Sequence, residues 1–148
     1  MFTLNSSRLY DQNSFYKAFL CDLERAQSHV VIESPFITKK RMILLSPILQ
    51  RLRIKGVHIV INTKPFEEHE LVYQSQVIWA VGIMQDMGVE VLMTVGHHRK
   101  LAIIDDDILW EGSLNILSQN DSCEVMRRIQ SVESVKEIIR FTGVNKWH

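Results

Sequence analysis

Residues 98–115, HRKLAIIDDDILWEGSLN, carry six polar or small residues at spacings that chemistry can use: His98, Lys100, Asp105, Gly112, Ser113 and Asn115. The filler between them (Leu101, Ala102, Ile103, Ile104, Ile108, Leu109, Trp110) is almost wholly apolar, the texture of buried β-strands. Alternate residues of a strand share a face, so His98 and Lys100 point the same way, and Ser113 and Asn115 pair likewise. The run Asp105, Asp106, Asp107 reads as the tight turn of a hairpin that folds the second strand back beside the first. All four side chains are then expected to line one pocket.

A histidine on an apolar strand is ordinarily a satisfied core residue. The neighbours of His98 reverse that reading. Burying a second potential cation, Lys100, on the same face costs several kcal/mol unless an anion arrives to pair it, and a phosphate is such an anion. His97 lies on the opposite face, its partner two residues on is Arg99, and no aspartate sits five residues beyond Arg99, so it is expected at the rim or facing solvent. His29, His58, His69 and His148 lack such company and read as structural or exposed. Successive aspartates in a tight turn seldom converge on one ion, so 105–107 is not expected to hold a metal.

The pattern His-x-Lys, four residues, Asp, six residues, Gly-Ser-x-Asn resembles the signature of the phospholipase D superfamily, HxKxxxxD followed by GSxN, and both halves match without gap or substitution. Six fixed identities at fixed offsets should occur by chance in a chain this long on the order of one time in a million. One motif copy in a chain of this length is similar to the small bacterial endonuclease branch, whereas the phospholipases and lipid synthases carry two copies in a longer chain. The resemblance implies an acid about ten positions after the Asn that hydrogen-bonds the nucleophilic histidine; here Glu124 follows Asn115 by nine. It also counts Asp105 within the motif, where bracing the turn or an interface is the expected role.

What the resemblance implies for activity is a phosphodiesterase with a phosphohistidine intermediate and no cofactor. Such chemistry needs one histidine to attack and one to protonate the leaving oxygen. One chain supplies only His98, so a homodimer about a two-fold axis is expected, with Trp110 and Leu114 at the contact. Nucleic acid is the expected substrate, DNA before RNA. The rivals are a phospholipid hydrolase or transferase and a weakly cutting DNA-binding module. Related single-copy domains occur fused to helicase or restriction modules, so the chain is read either as a whole protein or as a piece of one.

At 148 residues the chain is one domain, residues 1–148, with no room for a second. Lys plus Arg equals Asp plus Glu at 17 each, so net charge lends no support to a nucleic-acid partner and any such argument rests on local clusters. The cluster in question is Lys39, Lys40 and Arg41, beyond the end of an apolar strand, where ligands of parallel sheets sit; it is read as steering a polyanion backbone. Cys21 and Cys123 are too few for a disulfide scaffold and read as reduced thiols in a cytoplasmic protein. No leader segment and no apolar run of membrane-spanning length is visible, so no membrane partner is expected.

In chain order, Phe15, Ala18, Phe19, Leu23 and Ala26 fall at helical spacing behind a cap at Asn13 or Ser14. His29–Glu33 reads as a strand. Ser46-Pro47 reads as the cap and first position of a helix through Leu52 that Gly56 stops. A strand from Val57 to Asn62, a helix from about Glu68 to Met87 with Leu71, Ile78 and Val81 inward, and a strand from Val89 to Met93 follow. After the motif hairpin come a strand from Cys123 to Ile129, a helix from Val132 to Phe141 and a tail, Lys146-Trp147-His148. The fold class expected is α/β, a mixed, largely parallel sheet with helices on both faces, phospholipase D-like.

Overall fold

The computed structural model describes residues 6–118 and 122–144. Its elements are β1 (Ser6–Asp11), α1 (Phe15–Glu24), β2 (His29–Glu33), α2 (Lys39–Ile54), β3 (His58–Thr63), a 3-10 turn (Phe66–Glu68), α3 (Leu71–Asp86), β4 (Glu90–Met93), β5 (Leu101–Ile104), β6 (Ile108–Gly112), β7 (Val125–Gln130) and α4 (Val132–Thr142). All seven strands join one sheet in the order β1-β7-β6-β5-β2-β3-β4. The α/β class holds, with a correction to the balance: only β2–β3 and β3–β4 pair in parallel, and the other four pairings are antiparallel. The βαβ units account for three strands; the hairpin β5–β6 and the return through β7 and β1 make the rest. The signal missed is β1, whose SSRLYD has no period-2 alternation and is almost wholly exposed.

Two cores flank the sheet. Ile32, Ala102 and Trp110 are in register across β2, β5 and β6 and face α1, α2 and α3. Val31, Ile103 and Leu109 point the other way, toward Val135, Ile138 and Ile139 of α4. Phe15, Phe19 and Leu23 are wholly buried, and Phe15 packs edge-on against Trp110 with ring centroids 5.1 Å apart. Asp22 shares that face: its carboxylate accepts from Trp110 Nε1 at 2.9 Å and from Arg128 at 2.7 and 2.9 Å. Trp110 at 0% exposure and Leu114 at 5% are therefore core residues, and the expectation that they form an intersubunit contact is wrong.

α2 starts eight residues earlier than expected, at Lys39 rather than Pro47. Thr38 is the N-cap, its Oγ1 accepting from Arg41 N, and Pro47 lies inside the helix. Pro47 has no N–H for the carbonyl of Ile43, a residue on the helix's exposed face, and burial of Met42, Leu45, Leu49 and Leu52 outweighs the proline's cost of about 3 kcal/mol. α3 buries Val77, Ala80, Val81 and Met84; Val81 is inward as expected, whereas Leu71 and Ile78 face solvent, because the helix has no polar stripe to mark its outside. Ser131 caps α4 through Ser134 N at 3.1 Å, and Gly143 closes it at φ 73°. Cys21 and Cys123 are free and exposed. The tail 146–148, with His148, lies outside the described residues. Among the described residues no helix is long and apolar enough to cross a membrane.

Candidate active site

β5 runs antiparallel to β2, so the carboxyl end of β2 lies beside the amino end of β5, with Glu33 opposite Leu101. β6 ends at the same edge, with Glu111 opposite Leu101. The segment 97–100 entering β5 and the segment 112–115 leaving β6 thus meet at one edge of the sheet. Asp105 falls at the other.

At that edge His98 is exposed and Lys100 half-buried. Lys100 Nζ stands 3.0 Å from His98 Nδ1 and donates to the His98 carbonyl at 3.0 Å. With the ammonium on Nδ1 the imidazole carries its own proton on Nε2. Burial pushes the Lys100 amine down, and the Glu124 carboxylate pulls it back up. Both residues line an open cleft of about 530 Å³ shared with Leu9, Arg127 and Phe141.

Residues 97 and 99 take the opposite parity and are locked. Arg99 donates to Glu33 through Nε at 2.8 Å and Nη2 at 3.0 Å, and this pair holds the guanidinium above its ordinary pKa. Glu33 is wholly buried and also accepts from Asn62 Nδ2 at 3.0 Å; Asn62 Oδ1 accepts from Thr94 Oγ1 at 2.8 Å. His97 is not at the rim as expected: it is 6% exposed, its amide donates to the Thr94 carbonyl at 3.2 Å, and its Nε2, 3.6 Å from Glu33 Oε2, makes no hydrogen bond among the described residues. Burial holds His97 below the ordinary histidine range despite the carboxylate's pull. Glu33 is the residue that reading the sequence missed; its one signal is an acid closing an otherwise apolar strand.

Asp105 braces the turn. Its carboxylate accepts from the amides of Gln27, Ser28 and His29 at 2.7–3.2 Å, and its φ of 54° makes the reversal into β6. Among the described residues no three of His, Cys, Asp and Glu stand close enough to hold a metal ion.

The structure does not bring all four motif side chains into one pocket. β6 stops at Gly112, so strand alternation does not extend to Asn115. A Cβ on Gly112 would stand 2.2 Å from the Val125 carbonyl, and this close approach lets Ser113 Oγ accept from Val125 N at 3.0 Å. Asn115 lies in the turn closed by Ser118 N to Asn115 O, lines a second cleft of about 470 Å³, and leaves its buried Oδ1 unpartnered among the described residues. Glu124 engages Ser122 Oγ at 2.7 Å, and no hydrogen bond joins it to His98. The basic triplet splits: Lys39 and Lys40 are exposed, with Lys39 Nζ 5.3 Å above the Trp79 ring, whereas Arg41 is 8% exposed, so it does not steer from the surface.

The model of the family described as "Cardiolipin synthase, PLD-like domain" matches residues 19–142, which hold the whole motif. The chain belongs to the phospholipase D superfamily. Among solved structures of this fold, Nuc from Salmonella typhimurium, a phospholipase D family member, is 15% identical over 93% of this chain and 91% of its own, with a TM-score of 0.74. NucT from Helicobacter pylori is 18% identical over 93% and 92%, at 0.69. Phosphatidylserine synthase from Haemophilus influenzae Rd KW20 matches over 92% of this chain but 38% of its own, at 15% identity and 0.70. The archaeal chromatin protein TrmBL2, whose structure shows a mode of DNA binding, matches at 13% over 99% and 53%, at 0.64. Among curated proteins no sequence matches the chain.

Proposed function

We propose that the chain is a phosphodiesterase acting on nucleic acid, DNA before RNA, through a phosphohistidine at a site completed by a second copy of itself. The observation that carries this is the His98–Lys100 pair, which lines the cleft at the sheet edge while its sequence neighbours are anchored to Glu33. An arriving phosphate draws the Lys100 ammonium off Nδ1, which frees the ring to take the tautomer with a bare Nε2. His98 Nε2 attacks phosphorus, the bond to the leaving oxygen breaks, and the second chain's His98 gives that oxygen its proton. The same imidazole then takes a proton from water as the water attacks, the P–N bond breaks, and both histidines return to their starting states. Lys100 from each chain donates to the oxygens on which charge develops, the electrostatic work otherwise given to a metal ion, so the reaction is metal-independent.

The apolar surface beside His98 supports the shared site. Leu9, Val125 and Phe141 are 57%, 51% and 88% exposed around the His98 cleft, replacing Trp110 and Leu114 as contact candidates. The test is plasmid nicking in excess EDTA by wild-type chain mixed with increasing His98→Asn chain. Cutting should persist in chelator and fall faster than the wild-type fraction as exchange forms heterodimers. Loss of cutting that magnesium restores, or activity proportional to wild-type chain under demonstrated exchange, rejects the mechanism. A phosphatidyl substrate assayed beside the plasmid decides against the lipid reading, and binding without nicking would leave the chain a DNA-holding domain.

A further inference from the structure

The second cleft, of about 470 Å³, opens at the carboxyl ends of the parallel strands β2 and β3, the place where such strands offer a ligand site. Phe36 follows β2, Lys64 follows β3, Glu70 and Tyr73 lie at the entry to α3, and Asn115 comes from the turn after β6. Both rings are open to solvent, Phe36 at 40% and Tyr73 at 47%. Lys64 Nζ stands 3.8 Å over the Phe36 ring and caps it, whereas no ring or cation covers Tyr73 among the described residues. Tyr73 is therefore a free stacking face.

The Asn115 side chain is spare. Its backbone carbonyl accepts from Ser118 N at 3.0 Å, so the residue is held in place, yet its carboxamide makes no hydrogen bond among the described residues and Oδ1 is buried without a partner. An unmet buried acceptor costs about 1–3 kcal/mol, and turning the carboxamide toward the cleft breaks no bond. A planar amide holds a donor and an acceptor side by side, the pattern that matches a neighbouring acceptor and N–H on the edge of a nucleobase. The charge of the lining agrees. Glu68 and Glu70 stand against Lys64, and burial keeps His69 below the ordinary histidine range, so the cleft is net negative at neutral pH and suits an uncharged ring bearing N–H groups rather than a phosphate. The two clefts are neighbours. Gly112 lines the His98 cleft and Asn115 the second, and three residues of chain span at most about 11 Å. Glu68 also accepts from the Gly96 amide at 3.0 Å, two residues before His98.

We propose that this cleft is a nucleobase site, in which Tyr73 stacks on a base and the Asn115 carboxamide bonds its edge, holding the strand whose phosphate lies at His98. This rests on the phosphodiesterase reading and deepens it: a base inside a duplex offers neither its face nor its pairing edge, so the substrate is single-stranded or locally opened.

The test is fluorescence anisotropy of the full chain, in a His98→Asn background that keeps the strand intact, with a labelled single-stranded oligodeoxynucleotide and an abasic strand of equal phosphate count. Salt is fixed and the phosphates are matched, so counterion release cancels in the ratio of the two affinities. The intact strand should bind about tenfold tighter, the effect of one stacked base. Tyr73→Leu and Asn115→Leu should each lower that ratio while leaving the abasic strand's affinity unchanged, and Tyr73→Phe, which keeps the ring, should preserve it. Equal binding of the two strands, or an undiminished ratio in either leucine variant, overturns the base site. Cutting is assayed separately in the chain that keeps His98. A chain that shows the ratio but never cuts refutes the phosphodiesterase reading and leaves the base site standing, whereas one that cuts with no ratio keeps that reading and loses the site.

Discussion

Replacing Glu33 by Gln separates anchoring from chemistry at the motif edge. Removing one partner of a buried ion pair costs about 3–5 kcal/mol when the charge left behind stays buried. Here the charge left behind is Arg99, whose side chain is 47% exposed and turns to water, and Gln keeps an oxygen for Asn62 Nδ2. The cost should therefore fall to about 2–3 kcal/mol. The reverse change, Arg99→Met, strands a carboxylate with 0% exposure and should cost more, about 3–5 kcal/mol. Urea unfolding with unchanged slope reads both, and the double variant should show a coupling of at least about 1 kcal/mol. In the folded fraction, kcat for phosphodiester cleavage should drop about tenfold or more while KM changes little, since Lys100 still meets the phosphate but His98 is no longer held in line. Additive single effects within about 0.5 kcal/mol, or an unchanged kcat in Glu33→Gln, would refute the view that Glu33 positions the nucleophile.

Gly112→Ala should destabilise by about 3 kcal/mol in urea titration, because the new Cβ meets the Val125 carbonyl at 2.2 Å and Met126 Cα at 2.9 Å, both backbone atoms that cannot swing away. His98→Ala should lower cleavage by at least about a thousandfold with the melting temperature nearly unchanged. His97→Ala should do the opposite, losing stability while its folded fraction still cuts; the reverse result would show that the nucleophile was misassigned. Burial holds both His97 and His69 below the ordinary range, so the unfolded chain takes up protons first as pH falls below about 6.5. Stability should be full above that pH and decline below it, and thermal melts of His97→Gln should show a shallower decline.

The motif hairpin was legible because its spacing is a piece of architecture. The four residues between Lys100 and Asp105 are β5, the aspartates are the turn, and the return to Gly112 is β6. What the sequence concealed follows from side chains that break their local pattern. Asp22 on the inner face of α1 and Glu33 at the end of β2 carry no signal of their role, since nothing in a linear pattern announces the Arg128 and Arg99 that meet them from 106 and 66 residues away. Pro47 reads as a helix start because the rule for proline is local, whereas the burial that carries α2 past it is tertiary. Lys39, Lys40 and Arg41 read as one cluster, although helical geometry sends the third inward.

The topology explains why this edge suits a reaction on phosphate. β2 is the strand where the sheet changes sense, parallel to β3 on one side and antiparallel to β5 on the other. Its carboxyl end therefore adjoins both the parallel half, where α2 begins, and the amino end of β5, which carries His98 and Lys100. Lys100, leaning on an imidazole, stands on the β5 side of that junction, and Arg41, stacked on and hydrogen-bonded to the Tyr16 phenol, is packed inside α2 on the other. Lys100 feels Glu124 through space without a hydrogen bond to it, while Arg99 and Arg128 are each closed by two hydrogen bonds to an acid. The cations that brace the fold are thus fastened to acids, whereas Lys100 keeps its ammonium on a neighbouring ring from which a phosphate can draw it.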